Sequence, residues 1–168
     1  MTGRIWTTCL IVTALALGSS SCGGSGNTVT ASINERATLT GSLPWNPLQW
    51  AVITSSIDKQ AATMSVLYGN DVAVRYARSG SQGNYPPASV LSLVTWQQQE
   101  DVHWFGAKIP GQAKSVEFVS VTAGPGDQAA YSYEDYEGSP LRKASSSSDR
   151  SPGSRAAYML SERAAVMP

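Results

Sequence analysis

The sequence predicts an α+β domain that is mainly antiparallel β-sheet, with one short internal helix and one C-terminal helix. Three observations point there. Runs of β-branched and aromatic residues recur along the chain, separated by polar or glycine- and proline-bearing turns. The apolar period changes from about two to about 3.6 once, between Asn70 and Gly80. An alanine-, methionine- and leucine-bearing stretch with helical character follows the last strand.

The chain has 168 residues, enough for one domain with a single core. Its first 24 residues read "MTGRIWTTCLIVTALALGSSSCGG", with one positive charge at Arg4, an apolar run from Cys9 to Leu17, then small residues up to Cys22. That is the order of a secretory signal, and the apolar run is too short to span a bilayer as a helix. A cysteine directly after the small residues, followed by glycines, predicts a lipoprotein-type signal peptide over residues 1–21 and lipidation of Cys22. Residues 22–44 then form the lipidated residue and a small, polar tether, and residues 45–168 the domain.

Removal of residues 1–21 leaves 11 basic and 12 acidic side chains and Cys22 as the sole cysteine. Phosphate binding needs an excess of lysine and arginine, so no nucleic-acid partner is expected. An internal disulfide, a thiolate metal site and a cysteine nucleophile are excluded for the same domain. The partner expected from the N-terminus is a membrane, reached through the lipid anchor. The expected location is the bacterial cell envelope, facing the periplasm. The absence of an aspartate after Cys22 favours the outer membrane.

Within the domain, Pro44 and Pro47 of "LPWNPLQW" predict extended backbone. "WAVITSSI" (50–57) and "TMSVLYG" (63–69) read as a hairpin joined by "DKQAA". Over 70–80, Val72, Tyr76 and Ser79 share a helical face, Asn70 or Asp71 can cap the start and Gly80 the end. "ASVLSLVTWQQQ" (88–99) carries apolar residues on both alternations, as a central strand covered on both sides does. "HWFGAKI" and "SVEFVSVT" are expected to be two strands joined through "PGQAK". "AAYSYEDYEG" is a tyrosine-rich strand, "SPLRKASSSSDRSPGS" a loop, and "RAAYMLSERA" a last helix with Ser154 as its cap.

Several of these strings, in this order, resemble the cytochrome P-460 family of exported bacterial haem proteins. "WAVITSSI" resembles its first core strand, and "TMSVLYGND" with the short helix ending "ARSG" its next segment. "YPPASVLSLVTW" stands where the family has W-P-x-G-(ST/A)-V-x-x-K, and "FGAKIPGQAKSVEF" resembles the hairpin after it. The resemblance spans roughly residues 45–165 and implies the family fold and a homodimer. It also implies a c-type haem held by a C-terminal Cys-x-x-Cys-His and cross-linked to a lysine, in proteins that oxidise hydroxylamine or handle nitric oxide. Here the lysine position is Leu93, an arginine common on the second strand aligns with Ser65, and the C-terminus reads "DRSPGSRAAYMLSERAAVMP" without cysteine or histidine. Thiols that add to the porphyrin and an axial imidazole are therefore missing from the expected place. No cofactor is predicted, and the expected role is a binding or interaction module, with a small ligand as a further expected partner. The alternative is a haem protein with hydroxylamine- or nitric-oxide-related redox activity that holds haem non-covalently.

His103, the lone histidine, is the candidate ligand for that alternative, with Glu100, Asp101 and Glu117 as carboxylates to join it if the hairpin closes around them. The competing reading is a histidine flanking a turn, since metal sites gather three or four ligands. Glu117 is a second candidate cofactor-binding residue: if it shares a side with Val119 and Val121 it points into the pocket, and otherwise it is a solvent-facing strand acid. Tyr131, Tyr133 and Tyr136 with Trp50, Trp96 and Trp104 either line a pocket or fill the core. No catalytic residue and no metal site is predicted.

Overall fold

The computed structural model describes residues 34–81, 83–125, 129–145 and 151–165. The expected signal peptide, the expected lipidation site Cys22 and the first part of the expected tether lie outside the described residues. Six strands form one antiparallel sheet in sequence order: β1 (Ala51–Asp58), β2 (Thr63–Gly69), β3 (Val90–Glu100), β4 (Lys108–Ala123), β5 (Ala129–Glu137) and β6 (Arg142–Lys143). Helix α1 (Asp71–Arg78) lies between β2 and β3, and α2 (Pro152–Ser161) follows the sheet. This is the expected α+β architecture.

Local chemistry sets the connections. The β1–β2 turn closes because the Asp58 carboxylate accepts from the backbone N–H groups of Gln60 and Ala61, both at 2.9 Å. Asn70 caps α1 by accepting from the Ala73 N–H at 3.0 Å. The same oxygen accepts from the Val90 N–H at 3.2 Å, and the Asn70 amide donates to the Ala88 carbonyl at 2.9 Å, so one side chain ties the helix to the start of β3.

Several boundaries differ from the expectation: of "HWFGAKI" only Lys108 and Ile109 are in a strand, and Arg142–Lys143, expected in a loop, form β6. "PGQAK" is no turn: it lies inside β4, which pairs with β3 across register shifts near Trp96, so Pro110 stands opposite Gln98 and a bulge takes up Gly111 and Gln112. Pro47 opens a 3-10 turn, Pro47–Gln49, rather than extended backbone, because Asn46 accepts from the Leu48 N–H. Helix α2 starts earlier than Ser154: Ser151 precedes it and Pro152, whose fixed φ suits a first helical residue, occupies its first turn.

Strand alternation divides the sheet into two faces. One carries Leu67, Leu91, Leu93, Val119 and Val121 and packs against Ala73, Val74 and Ala77 of α1 and Ala156 and Met159 of α2. The other carries Val94, Trp96, Val116, Phe118 and Tyr136 and is covered by Leu39, Leu43 and Trp50 of the segment before β1. Phe118 centres this second face, with ring centroids of Trp45, Tyr136 and Trp50 at 5.4, 5.8 and 6.4 Å. The covering segment is held by the Trp96 indole, which donates to the Ala37 carbonyl at 2.9 Å. Gly41 permits its close approach: a Cβ there would stand 2.2 Å from the Leu141 carbonyl oxygen, and its φ is +133°. β3 is thus buried on both sides, as its doubly apolar pattern predicts.

Candidate functional site

The helix-bearing face is apolar at one end and polar at the other. The change follows the register. Leu67, Leu91 and Val119 lie at the apolar end; moving along the same alternation, β2 offers Ser65 and Thr63, β3 Thr95 and β4 Ser115. A cleft of about 750 Å3 opens over these positions, lined by hydroxyls from Ser56, Thr63, Ser65, Thr95, Ser115 and Tyr158. Asp58, Glu137, Lys114 and Arg155 add two acids and two bases. Leu93 lies in its floor, and the Ser65 and Thr95 hydroxyls share a hydrogen bond of 2.9 Å. The two positions that the family resemblance singles out, Leu93 and Ser65, therefore both face this cleft.

Glu117 sits opposite Leu93 on β4 and is fully buried, with 0% of its surface exposed. It shares the side of Val119 and Val121, so the inward of its two readings is the one observed, and the solvent-facing one is excluded. Burying a carboxylate requires compensating donors. Arg155, one turn into α2, supplies two: its Nε donates to Oε2 at 2.9 Å and its Nη2 to Oε1 at 2.8 Å, a bidentate pair. The Tyr133 hydroxyl, reaching from β5, donates to Oε2 at 2.8 Å. The bond to Glu117 raises the Arg155 pKa above its ordinary value, against burial acting the other way, so the guanidinium is a permanent cation. Arg155 thus seals the carboxylate below it and presents its partly exposed edge to the cleft. Its guanidinium also lies 5.3 Å from the centre of the Tyr158 ring, a stacking arrangement that orients both side chains at the cleft wall.

His103 lies elsewhere. It is on the loop between β3 and β4, with 74% of its side chain exposed and its Nδ1 at 3.5 Å from Asp101. Of the carboxylates expected to join it, Asp101 stands beside it and accepts from its backbone N–H, whereas Glu100 pairs with Lys108 at the base of the loop and Glu117 is deep in the sheet. Among the described residues no three His, Cys, Asp or Glu side chains gather as a metal site. Of the aromatics, Trp96, Tyr136 and Trp50 belong to the core, Tyr133 holds Glu117, Tyr131 is half exposed, and Trp104 is exposed on the His103 loop.

A covalently held c-type haem takes its attachment from thiols and its axial donor from an imidazole. The cleft is lined by hydroxyls, carboxylates and cations, with leucine at the lysine position. These donors do not fit that group. Arg155 and Tyr158 were missed as site residues in the sequence, where they read only as part of a terminal helix. The available signal was Glu117 itself, since an inward carboxylate requires a cation.

No curated protein matches the chain. The family model described as Cytochrome P460 matches residues 48–153, from the 3-10 turn before β1 to the first turn of α2, and the chain belongs to the cytochrome P460 family.

Proposed function

We propose that this chain is an exported, lipid-anchored member of the cytochrome P460 family whose cleft binds a small polar ligand in place of covalently attached haem. The observation that carries the reading is the substitution at the C-terminal segment. Where the family resemblance places Cys-x-x-Cys-His, this chain has the helix that delivers Arg155 to Glu117. Six hydroxyls with Asp58, Glu137, Lys114 and Arg155 suit a hydrogen-bonding ligand carrying polar groups of either charge. The apolar run from Cys9 to Leu17, followed by small residues up to Cys22, supports export and anchoring at the periplasmic face of a membrane, the outer membrane being favoured. A homodimer follows from the family resemblance.

The test is an absorption spectrum of the protein produced with haem supplied, beside a His103→Ala variant. The expected result is a colourless protein with no Soret band in either. A Soret band that His103→Ala abolishes would overturn the reading in favour of non-covalent haem on the loop histidine, with the redox activity that implies.

A further inference from the structure

The β3–β4 loop carries the most exposed apolar residues of the described chain. Val102 is 88% and Trp104 72% exposed, and Phe105 is fully exposed. Three large apolar side chains within four consecutive residues are all turned to solvent, and such a concentration of exposed apolar surface marks an interaction surface. The loop is a built turn. The Asp101 carboxylate accepts from the His103 N–H at 2.8 Å, the Asp101 N–H donates to the Ala107 carbonyl at 3.0 Å, and the Ala107 N–H donates to the Trp104 carbonyl at 3.0 Å. Gly106 takes a φ of +78°, which this turn requires. The charges are kept back from the tip: Asp101 is turned inward with 17% of its side chain exposed, and Glu100 and Lys108 neutralise each other at the base.

The chain enters the domain beside this same loop. Asn34, the first described residue, donates from its amide to the Pro110 carbonyl at 2.6 Å, and Arg36 donates to the Gln99 side chain at 3.4 Å. Gln99 and Pro110 are on the two strands that lead into the loop. Twelve residues carry the sequence from Cys22 to Asn34, a reach of at most about 43 Å. With a lipid on Cys22, the end of the domain that carries the tip would lie within that reach of the bilayer.

We propose that Val102, Trp104 and Phe105 insert into the interfacial layer of the membrane to which the chain is anchored, giving the domain a fixed orientation on that surface. The proposal rests on the lipid-anchored reading for its choice of occupant. Tryptophan and phenylalanine favour the headgroup boundary, where an indole keeps its N–H hydrated while its ring leaves water. A single point of attachment leaves a domain free to reorient, and a second contact with the same surface removes that freedom.

The experiment produces the full chain with its own N-terminus and separates membrane from soluble fractions, which decides the anchor. Protein from whichever fraction holds it is then combined with vesicles of phosphatidylethanolamine and phosphatidylglycerol bearing brominated acyl chains. Trp104→Tyr is measured alongside, with thermal unfolding as the check that the variant is folded. The expected result is a blue shift and a loss of emission in the wild type that Trp104→Tyr removes. Equal quenching in both proteins, or none in either, overturns the proposal. So does a dimer disrupted by Trp104→Ser without lipid quenching, which would make a second copy the occupant. If the protein is soluble the anchor reading fails, and the Trp104-specific signal still decides the tip.

Discussion

Replacing Arg155 with methionine removes the guanidinium while keeping much of its aliphatic volume. Glu117 has no exposed surface, and it loses two charge-assisted hydrogen bonds of 2.9 and 2.8 Å while remaining in place. Breaking a buried pair from one side costs about 3–5 kcal/mol. The side chain of Arg155 is 29% exposed, so water can enter beside the carboxylate, and the lower end, about 3 kcal/mol, is expected. Glu117→Gln keeps an acceptor for Tyr133 and leaves the cation able to turn to solvent, so its cost is about 1–2 kcal/mol. The double change Glu117→Leu with Arg155→Met removes both charges together and should be less destabilised than Arg155→Met alone. The assay is urea unfolding followed by tryptophan emission, with the slope checked for constancy so that midpoints compare directly. The pair is refuted as a coupled unit if the Arg155→Met and Glu117→Leu losses simply add in the double variant.

Two other outcomes test the surroundings of the site. Asn70→Ala removes the α1 cap and both ties to β3, and should lower stability by about 1–2 kcal/mol in the same unfolding assay. Lys143 holds the Glu134 carboxyl below the usual range, chiefly by its hydrogen bond, with Tyr136 adding to it and burial opposing. A depressed folded pKa means that this stabilisation is present above the unfolded value of about 4.3 and is lost as the pH falls through the folded value. Lys143→Met should therefore raise the Glu134 titration midpoint seen by NMR and flatten the loss of stability on acidification.

Much of the sheet is legible locally. Strand β2 runs over Thr63–Gly69 as its pattern predicts, because alternation and a bounding glycine are both short-range signals. Helix α1 begins at its asparagine cap for the same reason. The interior of β4 was not legible, since Pro110 and Gly111 carry the local marks of a turn and only pairing with β3 keeps them in a strand. The candidate site was half legible. Glu117 stands out as an acid on an apolar alternation, yet which alternation faces the helices depends on what covers the other side.

The sequence alone determined the sheet-rich α+β class, the family resemblance, the lack of thiols in the domain and the lone histidine, all of which are matters of composition and local period. Tertiary structure decided that Glu117 is buried, that Arg155 from a distant helix is its partner, and that Leu93 and Ser65 share a polar cleft. It also kept Glu117 in the sheet, away from the exposed loop where His103 meets Asp101. Those outcomes depend on strand register and helix docking, and a residue's neighbours across a sheet are set by pairings between segments that lie far apart in the chain.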